Sequence, residues 1–164
     1  MQVDDEFWMS KALALAQNAA ELGEVPVGAV VVLDGKIIGQ GWNQPITAND
    51  PTAHAEIIAL RDAAKNIENY RLVEADLYVT LEPCSMCAGA IVHGRIRRVI
   101  YGATEPKAGV VNSRQIFFGQ PWLNHRVKVV SGVMAKECGE KISDFFRLRR
   151  AQKKQEKAQT LLDR

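Results

Sequence analysis

An Asp-Gly pair between two β-branched runs, followed by regular alternation of strand and helix patterns, most restricts the folds open to this chain. VPVGAVVVL (25–33) and KIIGQG (36–41) flank Asp34-Gly35. A two-residue hairpin turn needs positive φ at both central positions, which Asp-Gly accommodates, so the sheet opens with an antiparallel hairpin. Before it, residues 6–22 carry apolar side chains at helical spacing, with Asp4 and Asp5 as possible caps and Gly23 as the stop. After a polar loop at 42–51, Asp50 or Thr52 caps a second helix, AHAEIIALRDAAKN, with Pro51 suited to its start. ADLYVTLE reads as a buried strand, and Pro83 starts a third helix, CSMCAGAIVHG. A strand RRVIYGA, a glycine-containing loop, a short helix, a strand RVKVVSG and a long helix from about Met134 complete the order. Strand-helix-strand units favour parallel neighbours with helices on both faces. The pattern therefore predicts an α/β class, a three-layer α/β/α domain around a mixed five-stranded sheet.

With 164 residues, 47% of them hydrophobic, one core is expected, and residues 1–164 read as a single domain. No apolar run reaches the roughly 18 to 20 residues of a membrane span, and MQVDDEFWM is acidic where a secretory signal is basic. The expected location is cytoplasmic, without membrane contact. Two of the three cysteines stand as Cys84-x-x-Cys87, a spacing that suits a metal or redox centre better than a disulfide framework; Cys138 reads as a buried free thiol.

Residues 147–157, RLRRAQKKQEK, hold six basic residues and one acidic, whereas residues 1–146 hold 14 basic and 17 acidic. A cationic tail thus follows a mildly anionic body. It can neutralise phosphates, or it can be the solvated face of a terminal helix.

His54-Ala55-Glu56 opens the second helix and Pro83-Cys84-Ser85-Met86-Cys87 the third. Ligands in open α/β sheets collect at the carboxyl ends of strands, where two helix tips can meet over one site. Cys84 and Cys87, three apart, share a helix face, and a helix N-terminus favours the thiolate. With His54 they supply two sulfurs and one imidazole nitrogen, so a tetrahedral Zn²⁺ keeps its fourth position for water. Glu56 is then free to move protons instead of binding metal. Positions i and i+2 lie on different faces of an ideal helix, a tension eased if the pair sits in the first turn. His-x-Glu alone is common, and a lone Cys-x-x-Cys fits half a structural zinc site or a redox pair; together they form the signature of zinc nucleobase deaminases.

PVGAVVV, GWNQPI, DPTAHAEIIALR, YRLVEADLYVTLEPCSMCAGAIVHGRIRRVIYGA and SDFFRLRR, over roughly residues 6–150, resemble the bacterial tRNA-specific adenosine deaminase family of the cytidine deaminase superfamily. The resemblance implies a hydrolase that converts the wobble adenosine of a tRNA anticodon stem-loop to inosine with zinc-activated water. It also implies one Zn²⁺ per subunit and a homodimer whose two sites draw on both subunits. By the same resemblance His54, Cys84 and Cys87 bind zinc, Glu56 is the catalytic proton shuttle, and Asn43 lies where the family contacts the target base. Ala55 joins the substrate side, as do Glu105 and Lys107 of GATEPKAG, which falls near the flanking nucleotides. Family members carry Asp-Pro-Lys or a similar run there, so Glu105 is a departure. Phe146, Arg149 and Arg150 match the RNA-facing terminal segment, with Phe145 the core neighbour.

Other residues receive structural readings. His93 and His125 read as surface or structural histidines, and Trp8, Trp42 and Trp122 as apolar bulk unless exposed. Ser85 and Met86 fill the variable positions between the thiols. Two rival functions share parts of the pattern: a deaminase of a free base or nucleotide, and a zinc-stabilised RNA-binding module in which Glu56 is idle.

Overall fold

The computed structural model describes residues 4–164; Met1–Val3, the start of the acidic N-terminal stretch, lie outside the described residues. The first helix, α1 (Asp5–Glu21), starts where the Asp4 carboxylate accepts the Phe7 N–H at 3.0 Å. Asp5 and Glu6 occupy its positively polarised first turn. It buries Trp8, Met9, Ala12, Leu15, Ala16 and Ala19. The hairpin strands β1 (Gly28–Leu33) and β2 (Lys36–Trp42) turn at Asp34 and Gly35 with φ of 51° and 72°, the positive pair that the dipeptide predicts.

There follow α2 (Ala55–Ile67), β3 (Asp76–Leu81), α3 (Ser85–His93), β4 (Arg98–Ala103), a 3-10 turn (Phe117–Gly119), β5 (Lys128–Val130) and α4 (Ala135–Leu162). The sheet order is β2-β1-β3-β4-β5. β1 runs antiparallel to both β2 and β3, whereas β3, β4 and β5 are parallel. Strands β2, β3, β4 and β5 consequently end at one common edge.

Alternate strand residues feed two apolar layers, as the two-residue side-chain period requires. Val30, Val32, Tyr78 and Ile100 pack with Trp8, Met9, Ala12 and Leu15 of α1 and with Cys138 of α4. Ala29, Val31, Leu77, Val79, Val99 and Tyr101 pack on the opposite side with α2 and α3. The three-layer α/β/α expectation therefore holds, and each fully buried Val or Ile contributes on the order of 1.5 to 3 kcal/mol.

At the sheet edge where β3 and β4 begin, charges tie the start of α1 to the strands. Arg98 bridges Asp5 (3.1 Å) and Asp76 (2.9 Å), and the Tyr78 hydroxyl donates to Asp5 at 2.7 Å. Helix α4 is docked over its first half and exposed over its second. Cys138 is buried against Gly102, and the Arg149 guanidinium donates to the Gly23 carbonyl at 3.4 Å, while every residue from 151 to 164 is exposed. Among the described residues no helix is long and apolar enough to cross a membrane.

Candidate active site

Glycines on β2 set where the first tip lies. A Cβ on Gly39 would come within 2.4 Å of the Ala59 carbonyl oxygen, and one on Gly41 within 2.6 Å of that of Ala55. Only hydrogen fits there, so α2 lies against the strand through Ala55, Ala59 and Ala63. The expected cap, Asp50 or Thr52, is not the cap. Asp50 instead accepts both the Thr52 N–H and the Thr52 hydroxyl at 2.8 Å, closing a local turn over 50–53. The helix starts after it, with His54 at the N-cap in extended conformation (φ −74°, ψ 153°) and no side-chain cap bond. Pro83 likewise does not begin α3; Cys84 is its N-cap (φ −82°, ψ 177°), again without a side-chain cap bond. Neither N-cap side chain bonds its own helix amides, so both are left free to face the site.

Those two side chains meet. The His54 Nδ1 stands 3.6 Å from Cys84 Sγ and 3.5 Å from Cys87 Sγ, and the three donor atoms lie within 4.8 Å of one another. With Zn–S of about 2.3 Å and Zn–N of about 2.0–2.1 Å, a tetrahedral ion needs an S···N edge of about 3.6 Å. The donor set and spacing therefore fit zinc. The extended N-cap backbone of His54 also relieves the i, i+2 tension, because His54 lies outside the helix whose first turn holds Glu56.

Glu56 is 4% exposed. Burial raises its carboxyl above the ordinary range, opposed by its own backbone N–H, the His54 charge and a hydrogen bond from the Cys87 thiol. The thiols pull each other apart. Cys84 is drawn down to about 4, first by its hydrogen bond with Cys87, against burial, and then by His54. Cys87 is pushed up by that same bond and by burial. His54 is raised, chiefly by its bond to Cys84.

The remaining residues from the sequence reading scatter around this cluster. Asn43 is half-buried just past β2, its N–H donating to Val27 O at 3.1 Å. Ala55 is fully buried. Glu105 is half-buried and Lys107 exposed, with the Lys107 N–H on the Glu105 carboxylate at 2.9 Å. Phe146 and Arg150 are exposed on α4, whereas Arg149 lies over the Phe145 ring and reaches Gly23. The His125 Nε2–H donates to the Ile96 carbonyl at 2.7 Å, and His93 is exposed; neither belongs to the cluster. Trp8 is buried and Trp42 half-buried, but Trp122 is 68% exposed.

Two buried acids that hold loops beside the site escaped the sequence reading. Glu24, 1% exposed, accepts the backbone N–H of Thr47 at 2.7 Å and of Ile46 at 3.4 Å, and so holds the loop after Asn43. Glu82, 3% exposed, does the same for the loop that carries Glu105. Burial alone would raise the Glu82 carboxyl, but amide hydrogens of Asn112, Ser113 and Glu105 and the Ser113 hydroxyl outweigh it and hold it low. An acid ending an apolar strand beside Pro83-Cys84 was the available signal.

Residues 3–150 match the model of the MafB19-like deaminase family. The chain is similar to the tRNA-specific adenosine deaminase of Haemophilus influenzae, with 59% identity over 94% of this chain and 90% of that protein. It is 45% identical to the tRNA-specific adenosine deaminase of Bacillus subtilis over 92% of this chain and 93% of that one. A solved structure from a study of A-to-I editing by tRNA:A34 deaminases at the wobble position of transfer RNA superposes with a TM-score of 0.80. It shares 50% identity and covers 82% of this chain and 98% of that chain.

Proposed function

Since the chain belongs to the family of tRNA-specific adenosine deaminases, we propose that it hydrolyses the wobble adenosine of a tRNA anticodon stem-loop to inosine, with Glu56 as catalytic residue and Zn²⁺ as cofactor. The observation that carries this reading is the convergence of His54, Cys84 and Cys87 at tetrahedral spacing beside the buried Glu56. His54, Cys84 and Cys87 would hold the ion, one per chain. Zinc, when bound, supplies the Lewis acidity that makes water a nucleophile near neutral pH.

The chain's own groups do the rest. The target base is turned out of the anticodon loop, where unstacking costs less than in a duplex. Glu56 takes a proton from the attacking water and passes it to ring N1, which makes C6 electrophilic. After the C6–O bond has formed, Glu56 takes the remaining proton from the added C6 hydroxyl and gives it to the exocyclic amine; the C6–N bond breaks as the C6 carbonyl forms, and ammonia leaves. Adenosine and water thus become inosine and ammonia. The burial of Glu56 supports this role, because a carboxyl raised towards the working pH exchanges protons in both directions more readily.

On the substrate side, Asn43, Ala55, Glu105, Lys107, Phe146, Arg149 and Arg150 make the contacts to RNA. Ala55, being buried, would act through its backbone, and Arg149 would have to leave or share Gly23. The protein works as a cytoplasmic homodimer built from one domain per chain. An apolar cleft of about 460 Å³ between α2 and α3, lined by Ile57, Leu60, Met86 and the exposed Tyr70, supports a subunit contact beside the site.

The test is incubation with a panel of anticodon stem-loops, free nucleosides and guanine, reading inosine by sequencing and ammonia by coupled assay, with a chelator control. Conversion confined to the stem-loops and abolished by the chelator is expected. Turnover of free bases alone would give the free-base reading, and RNA binding without ammonia release would give the non-catalytic module.

A further inference from the structure

Glu82 is the residue just before Pro83-Cys84, and its carboxylate faces hydrogen donors from a single loop. Oε2 accepts the backbone N–H groups of Val111 (3.1 Å), Asn112 (2.9 Å) and Ser113 (3.0 Å). Oε1 accepts the N–H of Glu105 (3.0 Å) and the Ser113 hydroxyl. Among the described residues no Lys or Arg forms an ion pair with it. Among the described residues the compensation for this buried charge therefore comes from the loop, and the charge is worth holding only while those amides stay in place.

Other contacts close the same clasp. Val110 N–H donates to the Pro83 carbonyl at 3.1 Å, and Val110 and Val111 are buried in the core. Gly109 N–H donates to the Glu105 carbonyl at 2.9 Å. A Cβ on Gly109 would lie 2.4 Å from the Glu82 carboxyl carbon, so the loop passes the acid as closely as a glycine permits.

We propose that Glu82 is a positioning residue for the substrate: it clasps residues 105–113 against the Cys84 helix tip and so fixes the distance from the reacting centre to the loop that meets the RNA. The inference rests on the function proposed above, in which that loop contacts nucleotides flanking the target. The two oxygens have separate duties. Oε2 forms a nest for 111–113, and Oε1 alone reaches across to Glu105, the residue that leads into Pro106-Lys107.

Glu82→Gln separates them. A glutamine oxygen in place of Oε2 keeps the three-amide nest, and the Ser113 hydroxyl can turn to accept from the new NH₂ group. The Glu105 N–H then meets a donor and is released. The expected result is a rise of about tenfold in KM for the stem-loop, with kcat within about twofold and the zinc content unchanged. Amide exchange measured without RNA should accelerate at Glu105 by about tenfold or more, while Val111 to Ser113 stay protected. Should Glu82→Gln fail to fold, Ser113→Ala removes only the hydroxyl donor and should shift KM and exchange the same way by a smaller factor. Unchanged KM and unchanged Glu105 exchange overturn the proposal. So does loss of zinc with falling kcat at constant KM, which would make Glu82 a brace for the metal ligands. Because the exchange arm needs no RNA, a parental chain that leaves every stem-loop unconverted overturns the substrate reading separately from the clasp.

Discussion

Gly41→Ala concentrates the dependence of the site on packing into one methyl group. The added Cβ would stand 2.6 Å from the Ala55 carbonyl oxygen, 2.8 Å from the Ala59 nitrogen and 2.8 Å from the Ile58 Cβ. Two of these atoms are backbone, so no side-chain rotation relieves the clash. To restore ordinary contact at about 3.4 Å the first turn of α2 must withdraw by about 0.8 Å, carrying His54 and Glu56 with it. Overpacking of this kind costs about 1 to 3 kcal/mol. At about 2–4 °C per kcal/mol for a domain of this size, Tm should fall by about 2 to 12 °C. Misplacement of a reacting group by about 1 Å costs about a hundredfold in rate, so kcat/KM on the stem-loop should drop far more than folded protein is lost. Gly35→Ala is the control: φ of 72° makes alanine strained by roughly 1 to 2 kcal/mol, yet nothing lies within 4 Å and the turn is at the far edge of the sheet. Thermal unfolding and steady-state kinetics on both variants decide the matter. Equal loss of stability with equal loss of kcat/KM in the two, or full activity in Gly41→Ala, would refute the argument that α2 transmits the displacement to the site.

Glu56→Gln should bind zinc and RNA like the parent and lose at least about 10² to 10⁴ in turnover, since in the proposed mechanism one carboxylate serves several proton transfers; metal analysis and single-turnover kinetics check it, and retained turnover contradicts the shuttle role. Neutralising Arg150, Lys153 and Lys154, all exposed, should weaken stem-loop binding and reduce the slope of log K against log salt by about 0.7 for each lost phosphate contact. A constant slope would return the tail to a solvated face, whereas Arg149→Ala should also cost stability through Gly23. Burial opposes ionisation of Asp5, but Arg98 and the Tyr78 hydroxyl prevail and hold its carboxyl below the ordinary range. Its contribution is therefore full above the unfolded pKa of about 4 and is lost as pH falls through the lower folded value. Asp5→Asn should lower stability at pH 7 by no more than about 1 kcal/mol, because solvent screens a partly exposed ion pair, and converge with the parent in acid; a difference that persists at pH 2 in chemical denaturation would contradict this.

Local physics made much of this chain legible without coordinates. The Asp34-Gly35 turn follows from the φ range of two residues, the strands and helices from side-chain period, and the Cys84–Cys87 pairing from a single helical turn. The choice of His54 and Glu56 came from residue chemistry joined to a family likeness. The exact helix starts were not legible, because Asp50 and Thr52 satisfy a cap equally well on paper. Only the closed turn at 50–53 commits them elsewhere and leaves His54 extended.

What tertiary structure alone decided is the set of meetings between groups distant in the chain. His54 reaches the two sulfurs because Gly39 and Gly41 let α2 settle on β2 while β3 delivers Cys84 to the same sheet edge. Glu82 and Glu24 gained their duties from loops that fold back over them, and Arg149 exchanged part of its exposure for the Gly23 carbonyl. Periodicity reports which side of an element is apolar; it carries no information about which polar atoms a long-range contact will place opposite one another. Those partners are selected only when the whole sheet and its helices have packed.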